Sequence, residues 1–361
     1  MPPNNGAAVR SARPTINVDN SDRQELSDGL LGLTIVENTA GLYRCEAMFG
    51  NWGASGGNGS SSGRIGWIYF DRRLLDFGKP LKVTYENDLL FDGRILALEA
   101  LFPETGPRSI TALAEDRFQD LRMTRRTRTF VDVTDADVFR QIASNHGLTA
   151  QVDLPAVQHK VLAQVNQSDL AFLRERARSV DAELWMEGSQ LHAAKHTSRG
   201  GQPIALVYRQ DLREFSVIAD LAGQRTSVTA SGWDVAGKQA ITHEAGESVI
   251  RGELNGDVSG VSILQTALGA RKEHLSHTVP LTTPDAQNAA EAFFKLGARR
   301  FVIGRGVASV QSAMHAGTFV QLSELGPLFS GKYYVTEVRH VFDRTGLRTE
   351  FAAERPGLGR V

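Results

Sequence analysis

The chain carries a single cysteine, Cys45, among its 361 residues. One thiol cannot close an internal disulfide, and there is no cysteine cluster to hold zinc or an iron–sulfur centre. Cys45 sits in Leu42-Tyr-Arg-Cys-Glu-Ala-Met-Phe, which alternates apolar and polar in part, so it reads as a small apolar side chain in a half-buried strand. A surplus of either charge is also missing: 40 basic residues face 41 acidic ones, a net charge of −1. That argues against general nucleic-acid binding, which needs a basic excess to displace counterions, though it leaves room for local basic patches; no specific nucleic-acid binding is expected. No apolar run nears the ~20 residues of a membrane helix, so no membrane anchor is expected. The opening Met-Pro-Pro-Asn-Asn-Gly has neither the basic nor the apolar part of a signal peptide, which predicts a protein made in a cytoplasm. Aromatic residues are only 7%, few for a sugar-stacking groove.

What the chain does have is a repeated strand-and-glycine pattern. The first copy runs Gly78-Lys-Pro-Leu-Lys-Val-Thr-Tyr, Leu90-Phe-Asp-Gly-Arg-Ile95, and Ser109-Ile-Thr-Ala-Leu-Ala-Glu115. The second runs Gly317-Thr-Phe-Val-Gln-Leu-Ser, Leu328-Phe-Ser-Gly-Lys332, and Arg348-Thr-Glu-Phe-Ala-Ala-Glu354. Each copy reads as a Gly-led strand, a Leu-Phe-x-Gly turn, a second strand, and a third strand ending in Glu. Two copies of one β unit point to similar domains used side by side, and so to assembly rather than catalysis. The length suits two or three domains, and 41% hydrophobic with 22% charged residues supports packed cores.

Between the copies the texture changes near residue 131. Thr134 with Asp137 resembles a capping box, and Val138, Phe139, Ile142 and Ala143 share one helical face that stops at Gly147. Asn166 or Ser168 can cap a second helix, and Glu183-Leu-Trp-Met, a Glu-Gly-Ser turn and Gln190-Leu-His-Ala read as a hairpin. Further on, Thr283-Pro284 reads as the cap and first position of a third helix over 284–299. The predicted organisation is β-rich α+β: a first β domain over 1–130 with a mobile Gly/Ser loop at 50–63, an inserted α/β module over 131–205, and a second β domain over 206–361.

No candidate for chemistry stands above its bland alternative. Gly53-Ala-Ser55-Gly-Gly57 matches the nucleophile-elbow string, but Gly, Asn and Ser follow the serine where an elbow needs a helix. The same loop lacks the Gly-Lys-Ser/Thr ending of a phosphate-binding loop. His192 and His196 have the spacing of a zinc helix without its Glu, at the end of a predicted strand, and His274 with His277 is as bare. Asp132, Asp135 and Asp137 are close in sequence, yet acids are favoured at a helix start by its dipole. Trp52, Trp67, Trp185 and Trp233 form no stripe, and the last three read as core residues. No catalytic, cofactor or metal residue is assigned. Arg122, Arg125, Arg126 and Arg128 form the one basic run, alternating with Thr124 and Thr127. Two readings stay open for it: a solvated strand face, or a subunit contact that uses the planar donors of arginine.

One family pattern fits the order of these segments. Val165-Asn-Gln-Ser-Asp-Leu-Ala-Phe-Leu-Arg-Glu-Arg-Ala177, Ala182-Glu-Leu-Trp-Met-Glu-Gly-Ser-Gln-Leu-His192, and Gly232-Trp-Asp234 resemble the phage late control protein D family. That family includes phage baseplate hubs and the N-terminal part of VgrG spike proteins. Phe91-Asp-Gly93 and Phe329-Ser-Gly-Lys-Tyr-Tyr-Val-Thr-Glu-Val-Arg-His-Val-Phe-Asp343 resemble its two barrel units. The resemblance implies a homotrimer in which each subunit gives two tube-like β-barrel domains with the α/β module inserted between them. Three subunits would then form a six-fold-like ring joining a tail tube to a three-fold spike, beside other baseplate proteins, in a virion or injection particle. VgrG-type relatives continue into an OB-fold and a needle. This sequence ends at Val361, so the resemblance implies a separate spike protein. The rival expectations are a tail-associated cell-wall lysin and a carbohydrate- or receptor-binding tail module.

Overall fold

The computed structural model describes residues 13–54, 65–235, 237–277 and 279–360. Most of the Gly/Ser segment at 50–63, with Ser55, lies outside the described residues. The first β region comprises β1 (Thr15–Val18), β2 (Leu30–Asn38), β3 (Arg44–Gly50), β4 (Pro80–Tyr85), β5 (Asp88–Leu101) and β6 (Ser109–Glu115). The inserted segment comprises β7 (Arg125–Thr134), α1 (Asp135–Asn145), β8 (Thr149–Asp153), β9 (Gln158–Ser168), α2 (Asp169–Arg178), β10 (Ala182–Glu187) and β11 (Gln190–Lys195). The rest of the chain holds β12 (Ile204–Val207), β13 (Leu212–Ala219), β14 (Ser227–Asp234), β15 (Gln239–Gly246), β16 (Lys272–Leu275), α3 (Thr283–Arg299), β17 (Val302–Ala308), β18 (Phe319–Ser323), β19 (Gly331–Asp343) and β20 (Gly346–Arg355).

The fold is β-rich. Its largest sheet has 13 strands among the described residues, running β13-β17-β20-β19-β2-β3-β6-β5-β4-β1 and ending on the two-residue strand Ser21–Asp22, with β18 branching from β19 and β12 paired to β18. The two repeated units are therefore halves of one hydrogen-bonded sheet, joined where β2 pairs antiparallel with β19 from Leu33↔Phe342 to Asn38↔Glu337. Inward residues alternate along each strand, as a one-sided core demands. Ile35, Cys45, Ala47, Phe49, Leu81 and Ile95 pack in the first half, and Leu206, Val302, Val320, Tyr333, Val338 and Phe351 in the second.

The repeat is a repeat of register as well as of sequence. Gly78 N donates to Ile95 O at 2.7 Å, and Gly317 N donates to Val335 O at 2.8 Å. Ile95 N donates to Lys79 O at 3.0 Å, and Val335 N to Thr318 O at 2.9 Å. Both glycines have positive φ, 78° and 95°, which only glycine adopts without strain. Each long strand then carries a bulge at the same place: between Ile95 and Ala97 opposite Ala114 and Leu113, and between Val335 and Glu337 opposite Ala353 and Ala352. A second bulge also recurs, after Leu30 in β2 and after Leu212 in β13. Thus β2-β3-β6-β5-β4 corresponds to β13-β17-β20-β19-β18. The correspondence fails only at the flank, where β1 runs antiparallel to β4 but β12 runs parallel to β18.

This register corrects one sequence reading. The Leu-Phe-x-Gly string is not a turn in the first copy: Leu90–Gly93 lies inside β5, and Leu90 and Phe91 are buried. The reversal is at Glu86-Asn87, where Tyr85 pairs with Asp88 and Glu86 takes a φ of 55°. In the second copy Leu328 and Phe329 end a short helix over Gly326–Phe329. Structural equivalence pairs Ile95 with Val335, two residues away from the match the string gives.

In the inserted segment the sequence cues act as expected. Thr134 Oγ1 accepts from Asp137 N at 3.2 Å while Asp137 Oδ2 accepts from Thr134 N at 3.0 Å. Gly147 follows α1 with a φ of 64°, and Ser168 Oγ accepts from Ala171 N at 3.2 Å to cap α2. Phe139, Ile142, Leu170, Leu173, Leu184 and Leu191 form a separate core. Between β13 and β17, β14, β15 and β16 form a further sheet against α3, with a core of Val228, Ala230, Ile241, Ala286, Ala290 and Phe294. The α3 cap is Thr282, one residue before the reading from sequence; its Oγ1 accepts from Asp285 N at 3.3 Å. In the Gly232-Trp-Asp234 element, a Cβ on Gly232 would stand 1.9 Å from Pro280 O, so backbone approach demands glycine there.

Candidate functional site

The carboxylates that the sequence sets together diverge in space. Asp135 is buried and receives a bidentate Arg176, at 2.6 and 3.0 Å, with His159 Nε2 at 3.3 Å. Burial works against its ionisation, but the His159 and Arg176 hydrogen bonds hold it below the usual carboxylate range. Asp137 is in the capping box, and Asp132 pairs with Lys160 at 2.8 Å on the surface. His192 stacks on Trp185, with ring centroids 5.0 Å apart, while His196 turns away to Glu183 at 3.2 Å. Among the described residues no group of three or more ligand-type side chains is placed to hold a metal ion.

Most of the arginine run is tied into the inserted segment, while Arg122 reaches back to the first β region. Arg128 Nη2 donates to Asp169 Oδ1 at 2.7 Å, and Arg126 Nε lies 3.3 Å from Asp169 Oδ2. His146 Nε2 and Gln164 Nε2 complete the ring around this buried carboxylate at 2.8 and 2.9 Å. Arg125 Nη1 donates to Asn166 O at 3.1 Å, and Arg122 pairs with Glu115. Arg122, Arg125 and Arg126 remain exposed and Arg128 half-buried.

Sequence reasoning missed a buried polar joint, because its members are far apart in the chain. Glu183 accepts from Arg199 Nη1 at 2.8 Å, from Tyr334 Oη at 2.6 Å, and faces His196 Nδ1 at 3.2 Å. Arg199 Nη2 donates in turn to Tyr43 Oη at 2.8 Å. One carboxylate thus ties the inserted module to both halves of the large sheet. Next to it, Arg299 on α3 donates to Asp181 Oδ2 at 2.8 Å and to Glu253 at 2.7 and 2.8 Å. A cavity of about 150 Å³ opens beside this joint, lined by His196, Glu253, Arg299, Tyr334 and Glu354 among others. Burial pushes the Glu354 carboxyl up to about 7, against the opposing charge of Arg299.

Two open edges of the large sheet are related by the internal repeat. Beyond Ile95, β5 has a strand partner only on the β6 side, and β13 pairs with β17 alone apart from a bridge between Leu212 and Tyr208 at its start. Near the first edge Trp52, Trp67, Phe70 and Phe102 cluster at centroid distances of 4.8–6.1 Å, with the Arg108 guanidinium 4.3 Å from the Trp52 ring centre. Trp67 and Trp233 are 39% and 52% exposed, which corrects the reading of both as core residues. The aromatic cluster was not legible either, because its members come from three separate segments.

The fold has close counterparts. The chain superposes on the 43 kDa tail protein of prophage MuSo2 from Shewanella oneidensis with a TM-score of 0.69 at 11% identity, covering 95% of this chain and 98% of that one. It superposes on the tail protein from Neisseria meningitidis MC58 with a TM-score of 0.68 at 12% identity, covering 96% and 97%. The E. coli c3393 protein gives 0.57 at 11% identity, covering 96% and 77%. That protein is described as a component of the type VI secretion system, similar in structure to the T4 tail proteins gp27 and gp5. These likenesses show a phage-tail-type fold. No curated protein matches the sequence, and no family-level match supports the late control protein D family. The model of the family described as Alg8 N-terminal domain matches residues 81–343, more than half of the chain, and the chain belongs to that family.

Proposed function

We propose that this chain is a structural baseplate hub of a contractile phage tail or a related injection particle. Three copies form a ring of six quasi-equivalent sheet units, which seats a six-fold tail tube and holds a three-fold spike beside other baseplate proteins. The observation that carries this reading is the internal repeat, matched in hydrogen bonds and bulges, with its two copies joined side by side in one sheet. A chain built so already contains one joint of a ring. The likeness to tail proteins and to a secretion-system component supports the same setting. Arg122, Arg125 and Arg126, exposed beside half-buried Arg128, are proposed as a contact to a second subunit or another baseplate protein.

The description of the matched family carries no reaction onto this chain. The lysin alternative rests on Ser55 and on the cluster of Asp132, Asp135 and Asp137, in which Asp132 pairs with Lys160, Asp137 closes the capping box and Asp135 is engaged in a buried ion pair. The aromatic cluster around Trp52 and Trp67 favours a second reading, a receptor-binding tail module. The test is co-expression with tube and spike proteins from neighbouring reading frames, followed by electron microscopy. Ring-shaped particles containing all three proteins are expected. A chain that joins neither partner, yet releases peptidoglycan in a manner lost on Asp135→Asn, would replace the hub by a lysin. Binding to a glycan surface by the isolated chain, with no particles, would favour the receptor binder.

A further inference from the structure

The internal joint dictates how a second copy docks. At that joint β2 of the first unit pairs with β19 of the second. By the shared register, β13 is the counterpart of β2 and β5 the counterpart of β19. Both of these strands have an open edge along the residues concerned. We infer that β13 of one copy pairs antiparallel with the 97–102 edge of β5 in the next copy, in the register Ala97↔Asp220, Glu99↔Ile218, Leu101↔Ser216. This rests on the ring reading above and adds the partner strands and their alignment.

Side-chain chemistry supports that register independently of the repeat. The alignment sets Leu98, Ala100 and Phe102 opposite Ala219, Val217 and Phe215 on the core side. All six are apolar. Phe215, Val217 and Ala219 already pack on the second core, and Leu98 on the first. A slip by one residue would turn Glu99 toward the core opposite an apolar row, a cost that fixes register in one-sided sheets. The equivalents at the internal joint, Leu33, Ile35, Glu37, Val338, His340 and Phe342, are all buried. At the open edges Phe102 is 59% exposed, Leu101 57% and Ile218 60%. Phe342 packs into the core of the first unit, and Phe102 is its counterpart. Phe102 is therefore the side chain that enters the second core of the neighbouring copy. Two different edges meet, so the contact is head-to-tail and repeats from copy to copy until a ring closes. Edge-to-edge pairing also removes two strands that would otherwise invite indiscriminate association.

The test uses the full chain with Cys45→Ala, so that only introduced thiols react. Glu99→Cys with Ile218→Cys places two thiols directly opposite across the contact, on its outer face. Oxidation is expected to link copies to one another, giving a denaturant-resistant multimer in most of the protein. Ala97→Cys with Ser216→Cys, out of register by four residues, is expected to give at most a few per cent of it. Phe102→Asp, an exposed position, is expected to keep the circular dichroism spectrum of the parent but abolish the multimer. If copies associate by mass while the in-register pair links no better than the control, the strand assignment is wrong and the ring reading survives. If copies associate in no condition, including with tube and spike present, both fall. Retention of the full assembly by Phe102→Asp also overturns the assignment, leaving the aromatic cluster to a receptor.

Discussion

Glu354 sits in β20 beside Arg299 and Glu183, where burial raises its carboxyl to about 7 from an ordinary 4.5. The sign follows from proton counts. Between about 4.5 and about 7 the folded chain holds a proton that the unfolded chain has released, so stability falls as pH rises through that window and is level above it. Glu354→Gln removes the titration. It is expected to be more stable than the parent at pH near 8, by on the order of 2 kcal/mol, and equal to it near pH 4. Thermal melts across that range check this, and parallel pH curves for the two proteins would contradict it. The neighbouring Glu183 behaves differently: burial raises it, but His196, Arg199 and Tyr334 hold it ionised. Glu183→Ala leaves Arg199 buried without its carboxylate, at an expected cost of about 3–5 kcal/mol in denaturant unfolding. A loss under ~1 kcal/mol would show that the joint is dispensable. Neither residue was legible from the sequence, since a buried ion pair is fixed by where distant segments meet. The capping residues Thr134 and Ser168 were legible because a cap is a local interaction.

At the scale of elements, the repeat was visible as a string but its alignment was not. The eye matches Gly93 to Gly331 through Leu-Phe-x-Gly, whereas the bulges and hydrogen bonds match Ile95 to Val335. Strand register is set by pleat and pairing, and a short motif can sit in a strand in one copy and a helical turn in the other. Gly93 has its own reason for being glycine: a Cβ there would lie 2.3 Å from Glu115 O, an atom of backbone that cannot swing away. Gly93→Ala is expected to cost about 1–3 kcal/mol through displacement of β5 from β6. Hydrogen exchange of the β6 amides would register the weakening, and unchanged protection would contradict it. The sheet of β14 to β16 with α3 went unrecognised as a body of its own. Its strands follow the flanking ones without a marked break, and the pairing of β13 with β17 across it reveals an insertion.

For the whole molecule, the sequence announced a β-rich chain, and the large antiparallel sheet bears out that coarse class. It did not announce that the two units share one sheet, because the β2:β19 joint connects residues about 300 apart in the chain. That joint turns a repeat into a building rule. A chain that solves the side-to-side contact once internally, and presents the two complementary edges again at its ends, is shaped to add copies of itself. At the proposed joint, apolar contact centred on Phe102 would supply the drive for association. The most direct measurement is the native mass of the purified full chain over a range of concentrations, alone and with the proposed tube and spike proteins. The account predicts a closed species of three copies that is absent for Phe102→Asp. A monomer in every condition, or an even-numbered assembly indifferent to Phe102, would contradict it.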